Sequence, residues 1–299
     1  MNDLHIGRRA FALGLASSAA LARAGGRGGS TGITARGVIE RIKTVCARQG
    51  VAWAAETVDT VKIGDPDTVV TGIAGTFMAT LDVMRRAVAG GINLIVSHEP
   101  IFYNHLDRTD AFETDPVYRA KRDYAARHGL VIWRFHDHWH RLQPEPMSTA
   151  TIATLGWEGY ADPHSAGFMR RFSRPPIGLK ALVAELAQRL PTNSIRFVGD
   201  PAMPVTTIAQ IAHSITGLIE AFDSCDVAIA PEIREWDCVE YVRDAIALGE
   251  RKGLILIAHE RAEEAGMARC VEWLRTVAAG VPVRFIPSGE AFSTLPAGI

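Results

Sequence analysis

The chain has 299 residues, with 32 Lys plus Arg against 33 Asp plus Glu and a net charge of −1 at pH 7. At roughly 150 residues per domain, that length leaves ample core for one large or two modest domains. A hydrophobic share of 47% and a charged share of 22% exclude a disordered or collagen-like chain, and the near-neutral balance offers no field for holding nucleic acid.

Residues 1–24 read as an export signal. Arg8-Arg9 precede an uncharged run from Ala10 to Ala22 that includes Phe11, and Arg23-Ala24 complete an Ala-Arg-Ala at its end. That run is shorter than the roughly 20 residues a membrane helix needs, so no stable membrane anchor is expected after cleavage. The Arg-Arg-x-Phe pattern fits the twin-arginine route, placing the mature protein in the periplasm or outside the cell. Residues 25–34, rich in Gly, are expected to form a flexible N-terminus.

Apolar spacing then predicts a helix over 34–48, a β-rich run over 67–74 and a helix over 80–89. The apolar stretch 93–97 reads as a buried strand that stops at His98-Glu99-Pro100, since a proline disfavours helix at the residue before it. A helix over 115–128, closed by Gly129, leads to a strand over 130–135. The middle, 147–178, is rich in Gly, Pro and Ser and holds Pro175-Pro176, so it reads as a boundary or an edge hairpin.

Beyond it the pattern resumes. Helices are predicted over 179–190, 214–222, 237–249 and 261–278, and strands over 195–198, 205–212, 226–230, 254–258 and 283–286. Strands alternating with helices predict an α/β protein of two similar halves, about 35–146 and 179–290, with mixed, mainly parallel sheets flanked by helices.

Five of the ten histidines fall just after three predicted strands: His98, then His136, His138 and His140, then His259. Ligands of open α/β sheets gather beyond the carboxyl ends of strands, so the three clusters can converge. Carboxylates accompany them: Glu99 beside His98, Asp137 within the second cluster, and Glu263 four residues after His259. Imidazole with carboxylate suits zinc, manganese or iron, and several of each suit a two-metal centre. Four cysteines, Cys46, Cys225, Cys238 and Cys270, lie far apart without a Cys-x-x-Cys pair, so spacing assigns neither a thiolate metal site nor a disulfide.

At these residues the chain resembles the NIF-three-like dinuclear metal-centre hexameric proteins, a family that also carries the name type 2 GTP cyclohydrolase I. The matching stretches are Val61-Lys-Ile-Gly-Asp-Pro66, the segment from Ala87 to Phe102, His136 to His140, Ile229 to Asp237, and Ala258-His-Glu-Arg-Ala-Glu-Glu-Ala-Gly266. The resemblance implies two related α/β halves, a homo-hexamer and two divalent ions held by His98, Glu99, His140, His259 and Glu263. Glu99 stands where the family has a histidine, and His140 stands where it has an aspartate. Trp236 likewise replaces a histidine and Pro231 a glycine, while Glu232 remains as a supporting group. The resulting expectation is an exported metal-dependent hydrolase of a small molecule, with Glu263 bridging the ions and His136 or His138 relaying a proton. The rival expectation is a metal-binding, storage or scaffold protein without chemistry. A GTP-cleaving role fits poorly, because no Gly-x-x-x-x-Gly-Lys-Ser/Thr loop is present to cradle phosphates.

Overall fold

The computed structural model describes residues 32–165, 168–190 and 192–294. The expected export signal and most of the Gly-rich lead-in lie outside the described residues. Of that lead-in, Ile33 and Thr34 are held rather than loose: the Ile33 carbonyl accepts the Val70 N–H, and Thr34 caps the first helix.

In chain order the elements are α1 (Ala35–Arg48), β1 (Val61–Ile63), β2 (Ile73–Met78), α2 (Leu81–Ala89), β3 (Leu94–Glu99), α3 (Pro116–Arg127), β4 (Val131–Arg134), α4 (Asp137–Arg141) and α5 (Pro146–Leu155). There follow β5 (Arg170–Gly178), α6 (Leu179–Arg189), β6 (Arg196–Val198), β7 (Pro204–Gln210), α7 (Ile215–Phe222), β8 (Val227–Ala230), α8 (Glu240–Ala247), β9 (Gly253–Leu256), α9 (His259–Val277) and β10 (Val283–Phe285). Local chemistry fixes many of the starts. Thr34, Thr80, Asp115 and Ser214 each accept a backbone N–H of the turn they open, and Pro116 and Pro146 occupy first-turn positions where no N–H is needed.

Two five-stranded sheets result, ordered β1-β4-β3-β2-β10 and β5-β7-β8-β9-β6. In the first, β4, β3, β2 and β10 run parallel and β1 closes one edge antiparallel. In the second, β7, β8 and β9 run parallel between antiparallel edges β5 and β6. Each sheet is apolar on both faces, as buried parallel strands require. One face of the first packs on α1 and α9 through Ile42, Cys270 and Leu274, and the other on α2 and α3 through Met84 and Ala125. The second sheet packs on α6 through Leu182 and Leu186, and on α7 and α8 through Leu218 and Val242.

The two halves are not continuous in sequence. β10 leaves the second half and pairs with β2 in the first sheet, and α9 lies against β2. Gly75 on β2 permits that approach, since a Cβ there would stand 2.5 Å from Val271 Cγ2. The β-rich run expected over 67–74 overlaps β2 only at Ile73 and Ala74; the strand runs on to Met78 and buries Phe77. The expected helix over 237–249 opens with a π-helical turn, Glu235–Val239. The middle segment supplies α5 and β5, and Pro175-Pro176 sits where β5 breaks register at the sheet edge, the one place a sheet tolerates missing N–H donors. All four cysteines are buried free thiols.

Candidate metal centre

The carboxyl ends of β3, β4 and β9 open onto one cavity of about 740 Å³, with Glu99, His136, His140, His259 and Glu263 in its wall and His98 fully buried behind them. His98 and Glu99 close β3. His136 follows β4 and starts α4, which turns His140 back one helical turn later. His259 and Glu263 occupy the first two turns of α9 directly after β9. A parallel sheet delivers consecutive strands with the same polarity, so residues far apart in sequence arrive at one end.

His98, His136 and His140 present ligand atoms that all lie within 4.8 Å of one another, and His98, Glu99 and Glu263 form a second such group. The outward side of each imidazole in the first group is already bound. His98 Nδ1 lies 3.2 Å from the Phe135 carbonyl, His136 Nδ1 lies 2.9 Å from Asp137, and His140 Nδ1 lies 3.0 Å from Glu145. Anchoring Nδ1 fixes tautomer and ring orientation and leaves Nε2 as a lone-pair donor toward the centre, the usual supporting arrangement of metal-binding histidines. Glu145 is itself held by the N–H groups of Met147 and Ser148 as the cap of α5.

The centre is polar, largely buried and incompletely satisfied. His98 Nε2 and Glu263 Oε2 are buried and make no hydrogen bond among the described residues, although they stand 3.3 Å apart. Glu263 Oε1 lies 3.4 Å from His259 Nε2, and His259 Nδ1 lies 3.7 Å from Glu232. Orphaned buried donors and acceptors aimed at a common point are what a cation would satisfy. The residue types fit a borderline metal such as zinc.

Protonation is divided across the site. Burial pushes His136 down to about 4, against the pull of Asp137, and burial likewise lowers His98. Burial opposes charge on His140 too, but the hydrogen bond and charge of Glu145 raise it above its ordinary value. Burial would favour a neutral Glu263, yet His259 and His98 hold its carboxyl well below the usual range. His259 is raised well above its ordinary value because Glu232 and Glu263 outweigh its desolvation.

Of the residues singled out in the sequence, His98, Glu99, His136, His140, His259 and Glu263 are brought together. His136, expected as a proton relay, groups with His98 and His140, its ligand atom within 4.8 Å of theirs. His138 is turned away: its ring stacks 3.6 Å from Trp53, Nδ1 lies 2.7 Å from Asp59, and Nε2 accepts the Ala54 N–H. With both nitrogens engaged and the ring buried, His138 ties α4 to Trp53, Ala54 and Asp59 and does not line the cavity. Trp236 is exposed and stacks against Arg234.

Two residues escaped the sequence reading. Arg134, the last residue of β4 between Trp133 and Phe135, is fully buried; its Nε donates to the His98 carbonyl and its Nη2 lies 3.6 Å from Glu99. Glu145 resembles an ordinary helix cap before Pro146, and only its spacing of five from His140 hinted at more.

A two-sheet α/β body with a buried histidine–carboxylate centre at the sheet ends defines the class. The chain belongs to the Duf34/NIF3 (NGG1p interacting factor 3) family, whose model matches residues 40–290. Solved structures share the fold. The Bacillus cereus protein related to NIF3 superposes with a TM-score of 0.69 at 12% identity, covering 89% of this chain and 100% of that one. The Staphylococcus aureus hypothetical protein SA1388 gives 0.68 at 17% identity, with 88% and 100% covered. Reduced HcgD from Methanocaldococcus jannaschii gives 0.62 at 14% identity, with 85% and 97% covered. No curated protein matches the chain.

Proposed function

We propose that this protein is a metal-dependent hydrolase of a small molecule, with one divalent ion held by His98, His136 and His140. The observation that carries the reading is the convergence of three imidazoles, each with Nδ1 anchored and Nε2 turned inward, beside the orphaned Glu263 Oε2. The resemblance implies two ions. His98, however, has one free lone pair, and both donor groups draw on it. Glu99 is also drawn toward the Arg134 guanidinium. One ion in the three-imidazole group is therefore the favoured occupancy.

A divalent ion bound there supplies Lewis acidity toward a polarised carbonyl and acidifies water beside it. The chain's own groups handle the protons. Glu263, kept ionised and lining the cavity, is placed to accept a proton. His259, kept protonated between Glu232 and Glu263, is placed to hold one for a leaving atom. The largely apolar cavity walls limit water at the reacting centre. The twin-arginine pattern at Arg8-Arg9 supports an exported enzyme, and the family resemblance supports a homo-hexamer.

The test is metal content by mass spectrometry on untagged protein, with activity toward an ester and amide panel. The reading expects about one ion per chain, lost in His136→Ala, and metal-dependent turnover. Two ions per chain would overturn the single-ion assignment. A filled site without turnover would favour storage or scaffolding.

A further inference from the structure

The cavity that ends at the histidines is lined elsewhere by apolar side chains, among them Leu81, Tyr103, Val117, Met147 and Phe168. Among the described lining residues the only Lys or Arg is Lys121, against four carboxylates: Glu99, Glu145, Glu232 and Glu263. Lys121 lies on α3, one turn after Val117, and is 6% exposed. Its Nζ donates to the Ile101 carbonyl at 2.6 Å and sits over the rings of Phe102 and Tyr103. No carboxylate among the described residues pairs with it. Asp107, whose charge it feels, is committed to Lys62, Arg134 and the N–H groups of Ile101 and Phe102.

A buried ammonium without a counter-ion is costly, and in a cavity wall the missing partner can come from a ligand. Burial lowers Lys121 to about 8, so it is still mostly charged at neutral pH. Away from the histidine cluster the described lining offers one lysine and no arginine, a poor match for a polyphosphate, whose several charges need several cations or backbone cradles.

We propose that Lys121 anchors a single carboxylate of the substrate, whose apolar body fills the cavity and brings its reacting bond toward the histidine cluster. The proposal rests on the reading of this cavity as a substrate site and names the substrate class: an apolar monocarboxylate carrying a hydrolysable bond.

The test uses full-length protein stripped of metal, so that no ion attracts the carboxylate. Binding of 1-naphthylacetate and of its neutral amide, 1-naphthylacetamide, is measured by calorimetry. The acid should bind about tenfold more tightly than the amide, the scale of one charge-assisted hydrogen bond. Lys121→Gln, which keeps a donor for Ile101 but no charge, should erase the preference. Val117→Glu should erase it too, by supplying the absent counter-ion at i,i+4 from an exposed position. Equal affinities in the parent protein, binding of neither compound, or a preference that survives Val117→Glu would overturn the proposal. The hydrolase reading fails separately, through absent metal or absent turnover, with this preference intact.

Discussion

His98 and Glu263 face each other with Nε2 and Oε2 3.3 Å apart, both buried, and neither atom makes a hydrogen bond among the described residues. One comes from the end of β3 in the first sheet and the other from α9, which follows β9 of the second. The pair therefore joins the two halves at the point where the imidazoles converge. Unmade polar contacts in a buried site cost roughly 1–3 kcal/mol each, and a cation held by the three imidazoles beside them would offset that cost.

Replacing Glu263 with Gln keeps the shape but removes the charge. Metal affinity should fall about 10–100-fold, the scale seen when a charged group around a metal is neutralised. Chelator competition with a chromophoric indicator measures it, and unchanged affinity would remove Glu263 from the centre.

Glu145 joins metal binding to helix capping, because one carboxylate anchors His140 and accepts the Met147 and Ser148 N–H groups. Glu145→Ala should lower melting stability by about 1 kcal/mol through the lost cap, and metal affinity by about 10–100-fold through the freed His140 ring. Ser148→Ala serves as the control. It removes a hydroxyl contact to Glu145 but leaves both N–H donors, so it should affect affinity far less. Equal losses in the two variants would count against a role for Glu145 at the metal.

The strands that carry the site were legible because buried parallel strands are short apolar runs that stop abruptly, as 93–97 does at His98. Convergence of His98, His136, His140 and His259 followed from strand polarity alone. Roles were harder to read. His136 and His138 differ by two residues on a segment that sequence leaves free to be strand or helix. Once α4 forms there, one ring faces the centre and the other stacks on Trp53. The return of β10 to the first sheet was invisible, since strand pairing across more than 200 residues leaves no local periodicity. Arg134 was unreadable for a related reason: an arginine between aromatic residues looks like the solvent face of a strand, and only the cover from the 101–107 loop buries it.

Lys121 gives the clearest dependence on pH. Its pKa falls from an ordinary 10.5 to about 8 in the folded chain, through burial. Between pH 8 and 10.5 the unfolded chain holds this proton and the folded chain does not, so the unfolded state binds more protons and stability rises with pH. Relative to Lys121→Met, wild-type protein should gain up to about 3 kcal/mol across that window and run parallel to it below pH 8. Buried Cys46, raised to about 11, works in the opposite direction in both proteins and cancels in the difference. Chemical denaturation at stepped pH measures the gap. A constant gap from pH 7 to 10.5 would mean that Lys121 titrates normally.

Gly266 closes the His259–Glu263 segment and sits where α5 crosses α9. A Cβ at Gly266 would stand 2.0 Å from Met147 Sδ and 2.8 Å from Met147 Cα. The sulfur could swing aside, but the backbone contact could not. Gly266→Ala must therefore push α5 from α9, against whatever helix propensity alanine brings. Overpacking of this kind costs about 1–3 kcal/mol. The displacement also has a direction, because α5 carries Glu145 at its start and α9 carries Glu263 one turn before Gly266. Spreading the helices draws the His140 anchor away from the Glu263 carboxylate, so metal affinity should fall along with the melting temperature. Met147→Ala made in the Gly266→Ala background restores no backbone room and should recover little of either loss. Full recovery there would place the clash on the Met147 side chain alone, and an unchanged metal affinity in Gly266→Ala itself would leave the helix crossing without influence on the centre.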